Sequence, residues 1–580
     1  MKKFVSLLLA FSCFGALAAC GAQPPENTGA NQESEDKTTI KVVNFDGGIG
    51  TVWLDEAAER FATLKQNESY EAGKTGVFVD VIPSGVIDTS SIASDANHIY
   101  FQERFFDVQK LASTGVLYDI SDVVKDTTRT GGTLEDKIYD NALGALQVNG
   151  KYYGLPHYEY FGGLSYDREA FDANCAYFAA EGEADVNEYT GTAIAITRNF
   201  VDSLDAEKSV GPDGESGTED DGLPRSLDEF VLLMDYFKYE TAYAPVVVSG
   251  MYQNYANYYT AGLWASIAGY EQMCNYYNCT GEIEVVTGEY YDEPLFPGIN
   301  YIKKPKTQKI TLNGQENGYL GNDMAAKYYA IAILEVMERE GFFSKDSISG
   351  TVDHYGAQKC LIYDGAGSYE KVAMLIEGSY WYNEAVNGLV FDSYKNVLRY
   401  ERPRDLRFMA MPSTLYSTDP VVKQPSTLLD IGQAYCIVNA KIKGNVAVEK
   451  AVKDFLSFLY SEQELKYFTM STGMGRSIAY DLDATEKSQI SSFYSKLWEL
   501  RATDGSNVVY FSGTTDTFKK VKHLINVHLA SEVMCPNGGK DYLRPLRANS
   551  SMLSSGEYVT GTRTMFESSR VTREHWNTYF

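Results

Sequence analysis

The chain has 580 residues and carries 51 Lys and Arg against 78 Asp and Glu, a formal net charge of −27. A surface this acidic repels phosphate backbones and anionic headgroups, which argues against nucleic-acid partners and direct adsorption to lipid. The length exceeds what one hydrophobic core supports, so at least two lobes are expected.

The first element is a secretory signal over residues 1–19. Lys2 and Lys3 form a short positive region, Phe4 to Ala18 is mostly apolar, and small residues close the run. That run is too short to span a bilayer. The ending Leu17-Ala18-Ala19-Cys20 is similar to the bacterial lipobox, which implies that Cys20 is lipidated and becomes the first residue of the mature chain. Residues 20–38 turn polar at once, with Gln23, Pro24, Pro25, Glu26 and Asn27, and read as a flexible lipidated tether. The expected location is outside the cytoplasm, on the outer face of the cell membrane, with the Cys20 lipid as the membrane contact.

Beyond the tether, strands and helices alternate. Thr39 to Phe45 is a β-branched run that ends in Asp46-Gly47-Gly48, a strand entering a loop. Trp53, Leu54, Ala57, Ala58, Phe61 and Leu64 recur at helical spacing, so Trp53 is expected to pack its helix on the sheet. Val77 to Ile82 and His98 to Phe101 read as strands. Helical fragments follow at Phe106 to Leu111 and Ile120 to Val124, and Gly150 to Pro156 reads as a hairpin edge leading into an extended segment. Ser226-Leu-Asp-Glu229 has the form of a capping box opening a helix from Phe230 to Lys238. A long helix is expected from Asp323 to Arg339, stopped by Gly341. Phe171 to Tyr319 is rich in Gly, Tyr and Asn and has no clear period. This alternation favours α/β lobes on mixed sheets.

The chemistry-bearing residues point to binding rather than catalysis. There is no Gly-x-Ser-x-Gly, no His-Glu-x-x-His and no phosphate-cradling glycine loop. The 44 Tyr, 28 Phe and 5 Trp suit surfaces that hold polyhydroxylated ligands, although most of these rings fill cores. Of the eight cysteines, Cys274 and Cys279 are close enough in sequence to bridge a local loop in an oxidising compartment. Cys175, Cys360, Cys436 and Cys535 are scattered, and no pairing is assigned to them.

Four stretches together resemble the extracellular solute-binding proteins of ABC importers, in the carbohydrate branch (family 1) that includes maltose-binding protein. Val43-Asn-Phe-Asp-Gly-Gly-Ile-Gly with Trp53 and Phe61 is similar to the family's opening strand, glycine loop and helix. Tyr153-Gly-Leu-Pro-His-Tyr-Glu-Tyr with Gly163-Leu-Ser-Tyr166 is similar to the segment that crosses between lobes, with Asp167 where Asn is usual. Val372 to Trp381 is similar to the segment lining the sugar cleft. Phe455 to Arg476 is similar to the late helix pair and its Gly-rich turn.

The resemblance implies an α/β, two-lobed periplasmic-binding-protein type II fold with hinge-crossing segments and an enlarged second lobe. Lobe 1 would comprise 39–157 and 408–461, and lobe 2 would comprise 158–407 and 462–580. It implies a monomeric, non-enzymatic receptor that captures a carbohydrate, an oligosaccharide, in the interlobe cleft and delivers it to importer permease subunits. The implied cleft residues are Tyr380, Trp381 and Glu377, then Tyr158, Glu159 and Tyr160 on the crossing segment, with Trp264 and Arg476. Each has a bland alternative: core packing for the aromatics, a solvated cap for Glu377, a surface ion pair for Arg476. His98 to Gln102 lies at a strand end, where ligands of open α/β sheets collect.

Some sugar-binding members carry a structural calcium loop, and Gly211 to Gly222 supplies Asp213, Glu215, Asp220 and Asp221 in a glycine-rich turn. Its spacing departs from the EF-hand, and an acidic solvated turn is the alternative. No cofactor is required by this reading. The competing function is a surface lipoprotein glycoside hydrolase, which needs two carboxylates facing across a cleft; an adhesin or structural surface protein without a small ligand is a third reading.

Overall fold

The computed structural model describes residues 29–85, 87–102, 107–398, 404–432, 434–525, 543, 546 and 561–580. The signal, Cys20 and Cys535 lie outside the described residues. No helix among those described is long and apolar enough to cross a membrane.

The first lobe is built on a five-stranded mixed sheet. Thr38–Phe45 runs parallel to Val77–Ser84 and to Ile99–Gln102. Tyr435–Val438 then pairs antiparallel with Ile99–Gln102 on one side and Gly154–Pro156 on the other. The helix Val52–Leu64 lies on this sheet through Trp53, Leu54, Ala57, Ala58, Phe61 and Ala62. Trp53 packs edge-on to Phe101 (5.1 Å) and Phe468 (5.0 Å), so it is core, as its helical spacing predicts. Leu64, expected on the same face, is 63% exposed, because Ala62 takes the last inward position. The Lys151–Tyr152 hairpin edge forms on a turn at Asn149 (φ 53°) and Gly150 (φ 75°).

The second lobe is built on a four-stranded sheet in the order Ala244–Val247, Val372–Gly378, Gly162–Asp167, Leu406–Phe408. The stretch without clear period turns out to be regular. It holds the helices Leu227–Glu240 and Ala256–Asn278 and a long hairpin, Thr280–Phe296 with Ile299–Asn313. Ala256–Asn278 is buried on nearly every side over its first half, so no apolar stripe marks it. The hairpin shifts register three times, which breaks the alternation that announces strands. The helix expected to begin at Asp323 begins at Ala325.

Three expectations need correction. The capping box at Ser226 does not form: the Ser226 hydroxyl donates to Asp228 Oδ1 (2.5 Å), and Glu229 Oε2 accepts from the Arg225 amide instead. Cys274 and Cys279 are free thiols. Cys274 lies within a helix and Cys279 caps it in the left-handed region (φ 55°). Five residues along a helix turn the side chain through about 140°, away from the first. The lobe boundary at 461/462 is also misplaced. Glu462–Thr472 stays with the first lobe, through Phe468 on Trp53 and the bidentate pair of Arg60 with Glu464 (2.9 and 2.7 Å). Phe408, placed in lobe 1 by the sequence, is a residue of the second sheet.

The chain crosses between lobes at 157–161 and again between Phe408 and Tyr435. A third crossing follows Lys487: Ile478 still bridges Ile138 and Glu486 still pairs with Lys466 in the first lobe, whereas the helix Ser492–Leu500 packs in the second, with Phe493 edge-on to Trp381 (5.6 Å).

Candidate functional site

The crossing segments meet in a buried polar junction. Asp430, in the short strand Leu428–Asp430, accepts through Oδ1 from the Tyr160 amide (3.1 Å) and the Gly432 amide (3.0 Å). Ile431 donates back to the Tyr160 carbonyl (3.1 Å), so the first two crossings are stitched together here. The Glu159 amide donates to the Gly475 carbonyl (2.9 Å), tying the first crossing to the first-lobe turn after Thr472. Arg501 donates from Nε to Glu159 Oε2 (2.7 Å) and from Nη2 to Oε1 (3.3 Å). The Tyr510 hydroxyl donates to the same carboxylate. Of the crossing-segment residues Tyr158, Glu159 and Tyr160, Glu159 is therefore occupied inside the hinge rather than turned to the cleft. Burial, then the nearby Glu159 charge, push the Asp430 carboxyl up to about 7.

From this junction a row of tyrosines runs outward along the second lobe. Tyr160 meets Tyr380 edge-on (5.1 Å), and Tyr380 meets Tyr258 (6.5 Å). Tyr258 continues to Tyr255 (5.1 Å), and Tyr255 stacks on Tyr252 (6.0 Å, 27° between planes). Tyr252 is 42% exposed, so the row begins at the surface and ends in the hinge. His354 lies 6.2 Å from the Tyr252 ring, and its Nε2 is 4.0 Å from Glu384 Oε2. Tyr255 and Tyr258 follow Tyr252 at three-residue spacing, which places them on one face where the chain enters the helix Ala256–Asn278.

Tyr380 and Trp381 divide between the two environments open to them. The turn after Val372–Gly378 is fixed by Ser379, whose hydroxyl accepts from the Phe161 amide (3.0 Å). Tyr380 joins the tyrosine row, and its hydroxyl is buried without a hydrogen-bond partner. Burial holds that hydroxyl's pKa well above the usual tyrosine value. Trp381 points into the core of the second lobe and donates from Nε1 to Ser165 Oγ (2.8 Å). Its expected cleft role is replaced by packing.

Trp264 is likewise core: it is fully buried, 5.1 Å from Tyr276, with Nε1 against Met324 Sδ. Arg476 is fully buried in the first lobe, its guanidinium 4.0 Å from the Phe468 ring, 4.7 Å from Tyr460 and 5.3 Å from Trp53. A surface ion pair is excluded by that burial. Glu377 is buried at the end of its strand beside Gly163, next to the tyrosine row. Tyr158 links Tyr160 (5.7 Å) to His157 (4.9 Å) on the first-lobe side.

The structure thus brings Tyr158, Tyr160, Glu377 and Tyr380 together at the interlobe junction, and adds Tyr252, Tyr255, Tyr258 and His354. The added tyrosines belong to the aromatic stretch Tyr252 to Tyr259 that precedes Trp264 in the sequence, and ring contacts carry them to Tyr380 while Trp264 goes to the core.

The acidic loop is organised by its own backbone. Asp220 is buried and accepts from the Asp213 amide (3.1 Å) and the Thr218 hydroxyl (2.7 Å). Asp213 accepts from the Glu215 amide (2.8 Å) and Asp221 from the Gly217 amide (2.7 Å). Burial, with Asp213 and Asp221 nearby, raises Asp220 to about 6. Among the described residues no three His, Cys, Asp or Glu side chains converge on one point.

In shape the chain is similar to a chitin oligosaccharide binding protein, 14% identical, covering 94% of this chain and 100% of that one at a TM-score of 0.51. It is similar to a structure from work on xylan utilization by the thermophilic bacterium Caldanaerobius polysaccharolyticus, 13% identical, covering 88% and 98%, TM-score 0.50. Apo RafE from Streptococcus pneumoniae is a further match, 13% identical, covering 94% and 99%, TM-score 0.50. These likenesses show a shared α/β, two-lobed fold. No protein-family model matches the sequence, and no curated protein matches it.

Proposed function

We propose that this chain is an extracytoplasmic solute-binding protein that holds an oligosaccharide between its lobes and presents it, unaltered, to an ABC importer. The observation that carries the reading is the tyrosine row that runs from Tyr252 at the surface of the second lobe to Tyr160 in the interlobe junction. Flat apolar faces of sugar rings stack on such aromatics, and hydroxyls such as that of Tyr380 set their orientation. The fold adds support, since one of its matches is described as a chitin oligosaccharide binding protein.

A hydrolase is the weaker reading. Two of the three buried carboxylates described at the junction are engaged, Glu159 by Arg501 and Tyr510 and Asp430 by two amides. Neither of these is free to act across a glycosidic bond, which leaves Glu377, beside the tyrosine row, as a single acid where hydrolysis needs a facing pair. The same proposal places Cys20 as the lipid anchor, on the strength of its lipobox-like setting. It also includes a structural calcium ion at the loop of Asp213, Glu215, Asp220 and Asp221, whose carboxylates would have to turn from the loop's own amides to converge on it. Support for the ion is the buried, raised Asp220 between two like charges, which a cation would relieve.

The test is a thermal-shift screen of the protein against mono- and oligosaccharides. A ligand that binds only the folded state raises the melting temperature, by an amount that grows with its concentration. Recovery of the sugar intact after long incubation is the expected outcome. Appearance of hydrolysis product overturns the reading.

A further inference from the structure

We propose that Asp430 is a proton-operated pin of the hinge, holding the crossing segments together when protonated and loosening them when it ionises.

The geometry is specific. One oxygen, Asp430 Oδ1, takes the amides of Tyr160 on the first crossing and Gly432 on the second. Phe161 forms a β-bridge with Asp430 itself, so any rotation of one crossing against the other must move this carboxyl. The facing groups come from every neighbouring element. Glu159 stands on the first crossing, Tyr510 is its register partner on the parallel strand Val508–Tyr510, Tyr277 comes from the long helix, and Tyr435 comes from the first sheet. The cation of this junction, Arg501, is already engaged through Nε and Nη2 with Glu159. An ionised Asp430 is therefore a second buried anion beside the first, without a countercharge of its own.

A neutral Asp430 keeps Oδ1 as an acceptor for both amides and gains a donor. Next to it lies a cavity of about 10 Å³, the size of a single water site, lined by Asp430, Ser477, Tyr510 and Ser512. The Ser512 hydroxyl is buried there without a hydrogen-bond partner. The proton thus has a polar place to point.

The direction follows from linkage. In the stitched hinge the carboxyl titrates near 7, whereas a carboxyl exposed by hinge opening returns toward its ordinary value of about 3.9. The stitched state therefore binds the proton more tightly. It is favoured as pH falls through 7 and disfavoured as pH rises. Opening that restores part of the solvation predicts a change of about tenfold in the stitched-to-open ratio between pH 8 and pH 6.

The experiment uses the full chain without sugar, so its outcome is separate from the carbohydrate reading. Small-angle X-ray scattering is recorded from pH 8.5 to 5.5 for the wild type and for Asp430→Asn, which imitates the neutral acid. The wild type is expected to become more compact on acidification, while the variant stays compact throughout. A wild-type profile that is flat, or that opens on acidification, overturns the proposal and needs no variant to do so. Identical pH-dependent profiles in the two proteins also overturn it, because the titrating group is then elsewhere.

Discussion

Asn387 Nδ2 donates to the carbonyl of Gly48 at 3.2 Å, joining the helix Trp381–Asn387 of the second lobe to the glycine turn of the first. A side chain at Gly50 would meet the same amide at 3.2 Å, and Gly50 sits at φ 69°, where only glycine is unstrained. The same helix reaches the first lobe a second time, where Asn383 Nδ2 donates to the Thr472 carbonyl (2.6 Å). The glycine turn after the first strand is thus a landing place for the opposite lobe.

Asn387→Ala removes one neutral hydrogen bond that exists only while the lobes touch. Such a bond contributes about 0.5 to 1.5 kcal/mol. Sugar affinity is expected to fall about two- to tenfold, with little change in melting temperature of the free protein. Calorimetric titration beside a thermal scan checks both halves, and an equal loss in each would place the bond in folding rather than closure.

Tyr255→Ala and Tyr380→Ala should each weaken oligosaccharide binding, by roughly 1 to 3 kcal/mol, through lost stacking area. Trp381→Ala is expected to behave differently. It opens a cavity in the second-lobe core and orphans the Ser165 contact, costing about 3 to 5 kcal/mol of stability. Denaturant unfolding of the three variants separates the classes. If Trp381→Ala folds as stably as wild type yet loses sugar, the assignment of these two neighbours is reversed.

Glu159→Gln leaves Arg501 buried without its countercharge. Breaking a buried pair from one side costs about 3 to 5 kcal/mol, and both side chains are at most 2% exposed here. The expected result is a large fall in the unfolding midpoint at neutral pH. A midpoint unchanged within error would show that the ion pair does not hold the hinge.

Much of this was legible in the primary structure, and the failures have physical causes. The strands at Thr38–Phe45, Val77–Ser84 and Ile99–Gln102 and the hairpin edge opening at Gly150 follow from β-branched runs and turn residues, whereas the crossing at His157 to Phe161 rests on the family resemblance of Tyr153 to Tyr166. The family resemblance of Val372 to Trp381 pointed to the Tyr380-Trp381 pair without separating its members. Adjacent residues at a strand-to-helix turn point in different directions, and only the packed structure decides which of them meets the core. Glu159 and Arg501 are 342 positions apart, and local pattern carries no information about such a pair. The row Tyr252, Tyr255, Tyr258 was hidden for a different reason. Its helix continues into buried rings on the other faces, so a functional stripe and a core stripe overlap.

Cys20→Ser is expected to release the chain from the membrane fraction or to leave it unprocessed. The reasoning rests on the lipobox-like residues Leu17 to Cys20 and on the need for a hydrophobic anchor to hold a soluble protein at a membrane. Fractionation of cells expressing the variant decides the matter. A processed variant that stays membrane-bound would require another anchor.

Calcium at the Asp213 to Asp221 loop can be tested without any sugar. The loop packs its backbone closely: a side chain at Gly211 would meet the Asp220 carbonyl at 2.2 Å, and one at Gly214 the Val422 carbonyl at 2.5 Å. An ion bound there would hold the entry to the helix Leu227–Glu240 by neutralising Asp213, Asp220 and Asp221. Chelator should then lower the melting temperature, and excess calcium should restore it. Asp213→Ala together with Asp221→Ala should abolish that response while leaving the protein folded, because the backbone contacts of Asp220 remain. Identical melting curves with and without chelator, with no metal found in the purified protein, would make the loop an acidic turn held by its own amides.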